Sequence, residues 1–203
     1  LLQTVVDKIP IDKIDIIHVQ HEYGLLKNLD EKFYVALSRL GKPIVTTMHA
    51  VGDWVKDCII ANYSDVVIVH NKFCFRKFGH PKKTVIIPHG CEPTRCPPRD
   101  ECKKALGIDP RIPLVGYLGF ITSYKGLEVL IEAMRPIREA ALIIAGGWHV
   151  EGQTQYIVKL KGLTLKVLPG RCQWLGYVPD ERLPIVYGSL DVLVYPSRFA
   201  TES

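Results

Sequence analysis

Seven short runs of apolar, largely β-branched residues punctuate the chain, at residues 15–19, 44–47, 66–69, 85–87, 114–118, 142–145 and 192–195. Each is too short for a helix and nearly continuous in hydrophobicity, the pattern of a strand buried on both faces. Between them apolar residues recur at helical spacing. Leu29, Phe33, Leu37 and Leu40 make one stripe, stopped by Gly41; Leu127, Leu130, Ile131 and Met134 make another, ended by Pro136. Strand and helix alternating in this way predict an α/β fold with parallel sheets covered on both faces.

The rhythm breaks once. Residues 88–113 carry Pro88, Pro93, Pro97, Pro98, Pro110 and Pro113, together with charges and Cys91, Cys96 and Cys102. Such a stretch supports no central strand, so it reads as a linker with one short helix over 100–106. The expected boundary lies between residues 91 and 100, giving domains 1–95 and 96–203 with a cleft between them. In open α/β sheets ligands gather beyond the carboxyl ends of the strands. Candidate residues are therefore sought there.

Residues 119–126, Gly-Phe-Ile-Thr-Ser-Tyr-Lys-Gly, follow a strand and open a helix. A helix amino terminus suits a phosphate, and Lys125 there opposes the helix dipole unless an anion lies beside it. The spacing is not that of a Walker A loop, which argues against an ATPase. Gly146 and Gly147 end the next strand, and Gly176, Tyr177 and Val178 follow Trp174 and Leu175. Paired glycines let a backbone approach a ligand, although they serve equally as plain turns. The last strand runs into a loop holding Glu202. In the first half His49 stands directly after a strand, while His18, Gln20, His21 and Glu22 gather at the end of another. None of these spacings makes a Ser-His-Asp triad or a His-Glu-x-x-His zinc helix.

Composition narrows the classes. Hydrophobic residues make up 47% and charged residues 23%, an ordinary folded composition rather than a disordered one. No apolar run approaches the ~20 residues of a membrane span. The formal charge of +5 favours phosphate-bearing ligands. The basic residues are scattered without aromatic interleaving, so no nucleic-acid partner is expected. The six cysteines form no Cys-x-x-Cys pair, and the group His89, Cys91, Cys96, Cys102 fits no standard zinc spacing. Reduced cysteines in a cytoplasmic protein, with no metal site, are the expectation.

Taken in order, these pieces resemble family-four retaining glycosyltransferases of the GT-B fold, which has two Rossmann-like domains. The matching segments are Asp-Ile-Ile-His-Val-Gln-His at 15–21, Thr-Thr-Met-His at 46–49, Val-Ile-Ile-Pro-His-Gly at 85–90 and Gly-Tyr-Leu-Gly at 116–119 with Lys125 and Gly126. Further along come Leu-Ile-Ile-Ala-Gly-Gly at 142–147, Trp-Leu-Gly-Tyr-Val-Pro at 174–179 and Asp-Val-Leu-Val-Tyr-Pro-Ser at 191–197. The resemblance covers nearly all 203 residues. It makes residues 1–95 part of the amino-terminal, acceptor-side domain and 96–203 part of the carboxyl-terminal, donor domain.

The resemblance implies transfer of a hexose from a nucleotide diphosphate donor with retained anomeric configuration, without an essential metal or cofactor. The acceptor would be a sugar, a glycan or a lipid-linked molecule, and peripheral membrane contact goes with the last of these. Its catalytic group is Glu202, His49 and Lys125: Lys125 binds the diphosphate, Glu202 the transferred sugar, and His49 lies beside sugar and acceptor. Donor-binding positions are Gly119, Phe120, Lys125, Gly126, Gly147, Gly176, Tyr177, Val178 and Glu202. Two departures stand out. Phe120 occupies the place of the family's diphosphate-binding arginine, and the chain stops before the second glutamate of the Glu-x7-Glu motif that Glu202 opens. It also starts after the family's first strand and glycine-rich loop. Both domains are therefore expected to be incomplete, and the chain alone unstable and inactive. A degenerate or regulatory nucleotide-binding module and a sugar-nucleotide epimerase remain the alternatives.

Overall fold

The computed structural model describes residues 6–26, 28–147 and 154–198. The chain forms two compact units that divide between Cys91 and Glu92.

In the first unit β1 (Ile17–His21), β2 (Ile44–Met48), β3 (Val66–Val69) and β4 (Thr84–Ile86) lie in sequence order, all parallel. Parallel strands need crossovers, supplied here by α1 (Asp30–Ser38), α2 (Trp54–Tyr63) and α3 (Lys72–Phe78). Two of these helices start on side-chain caps: Asp53 accepts from the Lys56 N–H, and Asn71 from the Cys74 N–H. The core gathers Tyr34, Leu37, Ile44, Met48, Ile60, Val67 and Phe78, all fully buried. The first strand lies two residues later than its apolar run suggests. It also alternates, with Ile17, Val19 and His21 buried and His18 and Gln20 exposed, so it is not buried on both faces.

Polar pairs reach deep into this unit. His21 is only 1% exposed and its Nε2 lies 2.8 Å from Asp30 Oδ1, with Lys56 Nζ 3.7 Å from the other carboxylate oxygen. The Tyr23 hydroxyl donates to Asp57, whose second oxygen accepts from the Gly52 N–H at 2.9 Å. His21 is thus a core residue joined to α1, not a group offered at a strand end.

The second unit pairs β5 (Leu114–Leu118), β6 (Ala141–Ala145), β7 (Cys172–Gly176) and β8 (Val192–Leu193) in the order β7-β6-β5-β8, again all parallel. Its helices are α4 (Arg99–Ala105), α5 (Leu127–Ala133), α6 (Thr154–Val167) and α7 (Leu183–Ser189). The strand β7 is an addition to the seven apolar runs: Gln173 interrupts it and its other residues are only half-buried. The chain moves outward from β5 to β7, then returns to place β8 on the other side of β5. The order therefore reverses between β5 and β8.

The proline-rich segment is held by one ionic knot. Lys103 of α4 is 2% exposed. Its ammonium donates to Asp191 at 2.7 Å, to the Ile112 carbonyl at 2.8 Å and to the Pro110 carbonyl at 3.3 Å. Asp191 also accepts from the Leu114 N–H at 2.7 Å and from Arg99 at 3.0 Å. A buried ammonium costs several kcal/mol unless paired and hydrogen-bonded, and here every donor direction meets an oxygen. The knot fixes the entry to β5, the entry to β8 and the linker helix at one point.

Candidate functional site

The carboxyl ends of β5, β6 and β7 close around a pocket of about 250 Å³, lined by Leu118, Gly119, Phe120, Ala145, Gly146, Gly147, Tyr177, Val178, Leu183 and Tyr187. Its floor is main chain. Beyond the strands the ladder continues through Gly119 N–H to the Ala145 carbonyl at 3.0 Å, Ile121 N–H to Gly147 at 3.1 Å and Gly146 N–H to Gly176 at 2.7 Å. Gly146 has φ +144°, and a Cβ there would overlap the Gly119 carbonyl oxygen. Only glycine lets these two backbones meet. The other lining residues are apolar or aromatic, and Tyr177 at 76% and Phe120 at 49% are the most exposed of the large ones.

The loop after β5 is pinned from beneath. Tyr117 is buried and its hydroxyl donates to the Phe120 carbonyl at 2.7 Å. Burial, followed by the neighbouring phenols of Tyr124 and Tyr195, pushes its pKa up to about 12, so it remains a donor. Beside the pocket, residues Ser123–Lys125 make a 3-10 turn that ends on Gly126 at φ +68°. A Cβ on Gly126 would strike the Pro196 carbonyl. The loop after β8 lies directly against this turn, with the Arg198 N–H donating to the Tyr124 carbonyl at 2.9 Å. Arg198 also pairs with Glu128 at 2.6 Å, and Glu128 accepts from Tyr156 at 2.6 Å. Lys125 and Gly126 therefore sit where the strand order reverses between β5 and β8, the place at which such sheets bind ligands.

Of the positions singled out in the sequence, Gly119, Phe120, Gly147, Tyr177 and Val178 line this one pocket. Gly176 closes β7 and accepts from Gly146. Lys125 and Gly126 stand beside the pocket rather than in its lining. Lys125 belongs to the 3-10 turn, not to the first turn of α5, and its ammonium lies 4.9 Å from the Tyr124 ring centre. Glu202 lies outside the described residues. Leu118, Ala145, Gly146, Leu183 and Tyr187 complete the pocket without having been singled out as donor ligands. Tyr187 comes from α7, and nothing in its local spacing signals a site.

His49 belongs to the other unit. Its Nε2 donates to Gln20 Oε1 at 2.8 Å, and Gln20 in turn reaches His18 Nε2 at 3.2 Å. Its pKa is lowered, first by burial and then by the neighbouring imidazoles of His70 and His89. Among the described residues, His49, His70 and His89 are the one cluster of three or more side chains whose ligand atoms all lie within 4.8 Å of one another. His89 thus faces His49 and His70 rather than joining a ligand cluster with Cys91, Cys96 and Cys102. Cys102 is buried, with its thiol on the Pro97 carbonyl at 3.4 Å.

Two parallel Rossmann-like sheets, the second with a glycine-floored pocket at its strand ends, define a GT-B type α/β protein. The family model described as glycosyl transferases group 1 matches residues 98–203, and the chain belongs to that family. It is 23% identical over 197 residues to a D-inositol 3-phosphate glycosyltransferase of Rhodococcus opacus, covering 91% of this chain and 42% of that protein. It is 32% identical over 100 residues to an uncharacterised glycosyltransferase of Methanocaldococcus jannaschii, covering 48% of this chain and 24% of that protein. Among solved structures, Anabaena HepE in complex with UDP superposes with a TM-score of 0.79 at 18% identity, over 98% of this chain and 57% of that one. The chain thus spans well under two thirds of each of these relatives. No described helix is long and apolar enough to cross a membrane.

Proposed function

We propose that the chain serves a glycosyltransferase that takes a hexose from a nucleotide diphosphate donor and passes it, with retained configuration, to a sugar, glycan or lipid-linked acceptor. The observation that carries this reading is the convergence of Gly119, Phe120, Gly147, Tyr177 and Val178 on one pocket at the strand ends. Its volume of about 250 Å³ and its aromatic and apolar walls suit a planar base, and its main-chain floor can reach polar edges. The UDP in the HepE structure makes a uridine donor the first to test.

Departure of the nucleotide moves negative charge onto the diphosphate as the sugar becomes oxocarbenium-like. In this reading Lys125, beside the pocket, stabilises that charge and no metal is required. His49 and Glu202 are the residues proposed to face the sugar. The work is cytoplasmic in this reading, with membrane contact limited to a lipid-linked acceptor.

Titration tests it. Lys125→Ala should weaken UDP binding by about ten- to hundredfold, since a charge-assisted contact contributes roughly 1.5–3 kcal/mol, while uridine binding stays unchanged. Equal UDP affinity in parent and variant would remove Lys125 from the diphosphate site. Phe120 in place of a cation favours the second reading, a module that holds the nucleotide without turnover. Sugar released or transferred from UDP-sugar, measured alongside the titration, separates the two.

A further inference from the structure

The first unit carries a second constellation at its own strand ends. The register of β2 on β3 pairs Thr47 with Ile68, so two residues further on His49 stands beside His70. Past β4, the Ile87 N–H donates to the Val69 carbonyl at 2.9 Å and leads the chain to His89. The His70 and His89 rings stack with centres 3.5 Å apart, and His49 lies 5.3 Å and 5.8 Å from them. Three imidazoles are thus gathered from the ends of three adjacent strands.

Their outer hydrogen bonds set the tautomers. His70 Nδ1 lies 2.9 Å from the Ile87 carbonyl, which can only accept, so Nδ1 carries the proton and Nε2 the lone pair. His70 Nε2 is buried and meets no hydrogen-bond partner among the described residues. On His49, Nε2 donates to Gln20 Oε1, which leaves the lone pair on Nδ1. An imidazole that gives one N–H to a carbonyl oxygen and turns its other nitrogen to a shared point is the arrangement in which histidine binds metal.

We propose that His49, His70 and His89 form a three-imidazole site for a first-row transition-metal dication of the Zn²⁺ or Ni²⁺ class, with one coordination position left for water or an anionic ligand. Imidazole selects these ions over Mg²⁺ and Ca²⁺, which take oxygen ligands. A tetrahedral ion with Zn–N bonds of about 2.0 Å needs nitrogens about 3.3 Å apart. The ligand atoms now lie within 4.8 Å of one another, so binding draws the rings together, and His89, exposed on its loop, has room to rotate. The site lies in the first unit and shares His49 with the sugar-facing role proposed above, so an ion bound there would make His49 a ligand and set which of its nitrogens is left for the sugar.

The test is metal binding itself. The chelator-treated protein is titrated separately with Zn²⁺, Co²⁺ and Mg²⁺, and UDP binding is followed in parallel. One Zn²⁺ per chain is expected, with visible Co²⁺ absorption of a four- or five-coordinate nitrogen site and no Mg²⁺ uptake. His70→Ala should lower Zn²⁺ affinity by at least tenfold. His89→Gln, on an exposed side chain, should do the same without altering the melting temperature of the metal-free chain. Absence of stoichiometric Zn²⁺ binding overturns the proposal. So does parental affinity in both variants accompanied by thiolate-to-cobalt charge transfer, which would place the ion on the cysteines.

Discussion

The two sheets end in the same register and carry opposite chemistry there. One residue past β2 and β3 stand His49 and His70; one residue past β5 and β6 stand Gly119 and Gly146. In the first unit the strand ends present imidazoles over a core already rich in polar pairs, His21 with Asp30 and Tyr23 with Asp57. In the second they present bare main chain over an apolar core, and the deeply buried charge of Lys103 is tied to Asp191 at the opposite ends of the strands. The topology supplies the same shelf twice. The residue that steps onto it decides whether the shelf offers ligating side chains or room for a ligand to lie against the backbone.

That contrast breaks most sharply at Gly146. Gly146→Val meets both a left-handed backbone and the Gly119 carbonyl. The loss should be about 4 kcal/mol from strain and overlap together, with UDP binding abolished. Urea unfolding and a UDP titration check it, and a variant that binds normally would show that the pocket floor is not main chain.

The charged groups of the two units should answer acid in opposite directions. Burial works to raise the pKa of Asp191, but the hydrogen bonds from Lys103 and the Leu114 N–H, with the charges of Lys103 and Arg99, hold it below the ordinary value. Its contribution is complete above pH ~4 and is lost as pH falls through the depressed pKa. Asp191→Asn should therefore cost about 2–3 kcal/mol at neutral pH, and less as the pH drops below 4. Asp57 is raised, chiefly by burial, against the hydrogen bonds from Tyr23 and Gly52. The folded chain holds that proton more tightly, so stability from this group grows as pH falls from the raised pKa toward ~4. Asp57→Asn should then be better tolerated at pH 7 than at pH 4.5. Urea midpoints for both variants across this range test the opposed signs.

Phe120→Arg sharpens the comparison by adding a cation to the glycine shelf. Phe120 is half-exposed in the pocket lining rather than packed in the core, so melting should be unchanged. A guanidinium there should tighten UDP binding about tenfold, the lower end of a charge-assisted contact. A fall in melting temperature would show that the ring is a packing element. The smallest effect is expected at Gly162 of α6, which has open space where a Cβ would stand. Gly162→Ala should stabilise by about 0.5–1 kcal/mol through helix propensity alone. Together with Gly146→Val it separates a glycine required by contact from one that is not.

The strands β2, β5 and β6 were legible because burial on both faces leaves a local signature; β4 and β8 also lie in apolar runs, but Val85, Ile86, Val192 and Leu193 are exposed, so there the expected double burial is not met. The strand β7 was not legible, since Gln173 and its half-buried neighbours break that signature, and β1 was displaced because its outer face is polar. The prolines marked the linker, but that Lys103 is buried against Asp191 depends on residues 88 positions apart. At the pocket, Gly119, Phe120, Gly147, Tyr177 and Val178 were legible by resemblance and by their place after strands. Gly146 looked like a turn until the Gly119 carbonyl was seen against it. His70 follows a strand just as His49 does. Its pairing with His49 and His89 is a property of register between strands, which no single segment states.

The Lys103–Asp191 knot also has a consequence for vectorial synthesis. The two residues are 88 positions apart, so at about 5–20 residues per second the ribosome adds Asp191 roughly 4–18 s after Lys103. Throughout that interval the nascent linker helix must keep its ammonium in water, and β5 cannot be anchored through the Leu114 N–H. The second unit should consequently acquire protease resistance in a single late step. Ribosome-arrested chains ending shortly before and well after Asp191 would reveal that step as a jump in protection, and equal protection in both would show that the sheet closes without the knot.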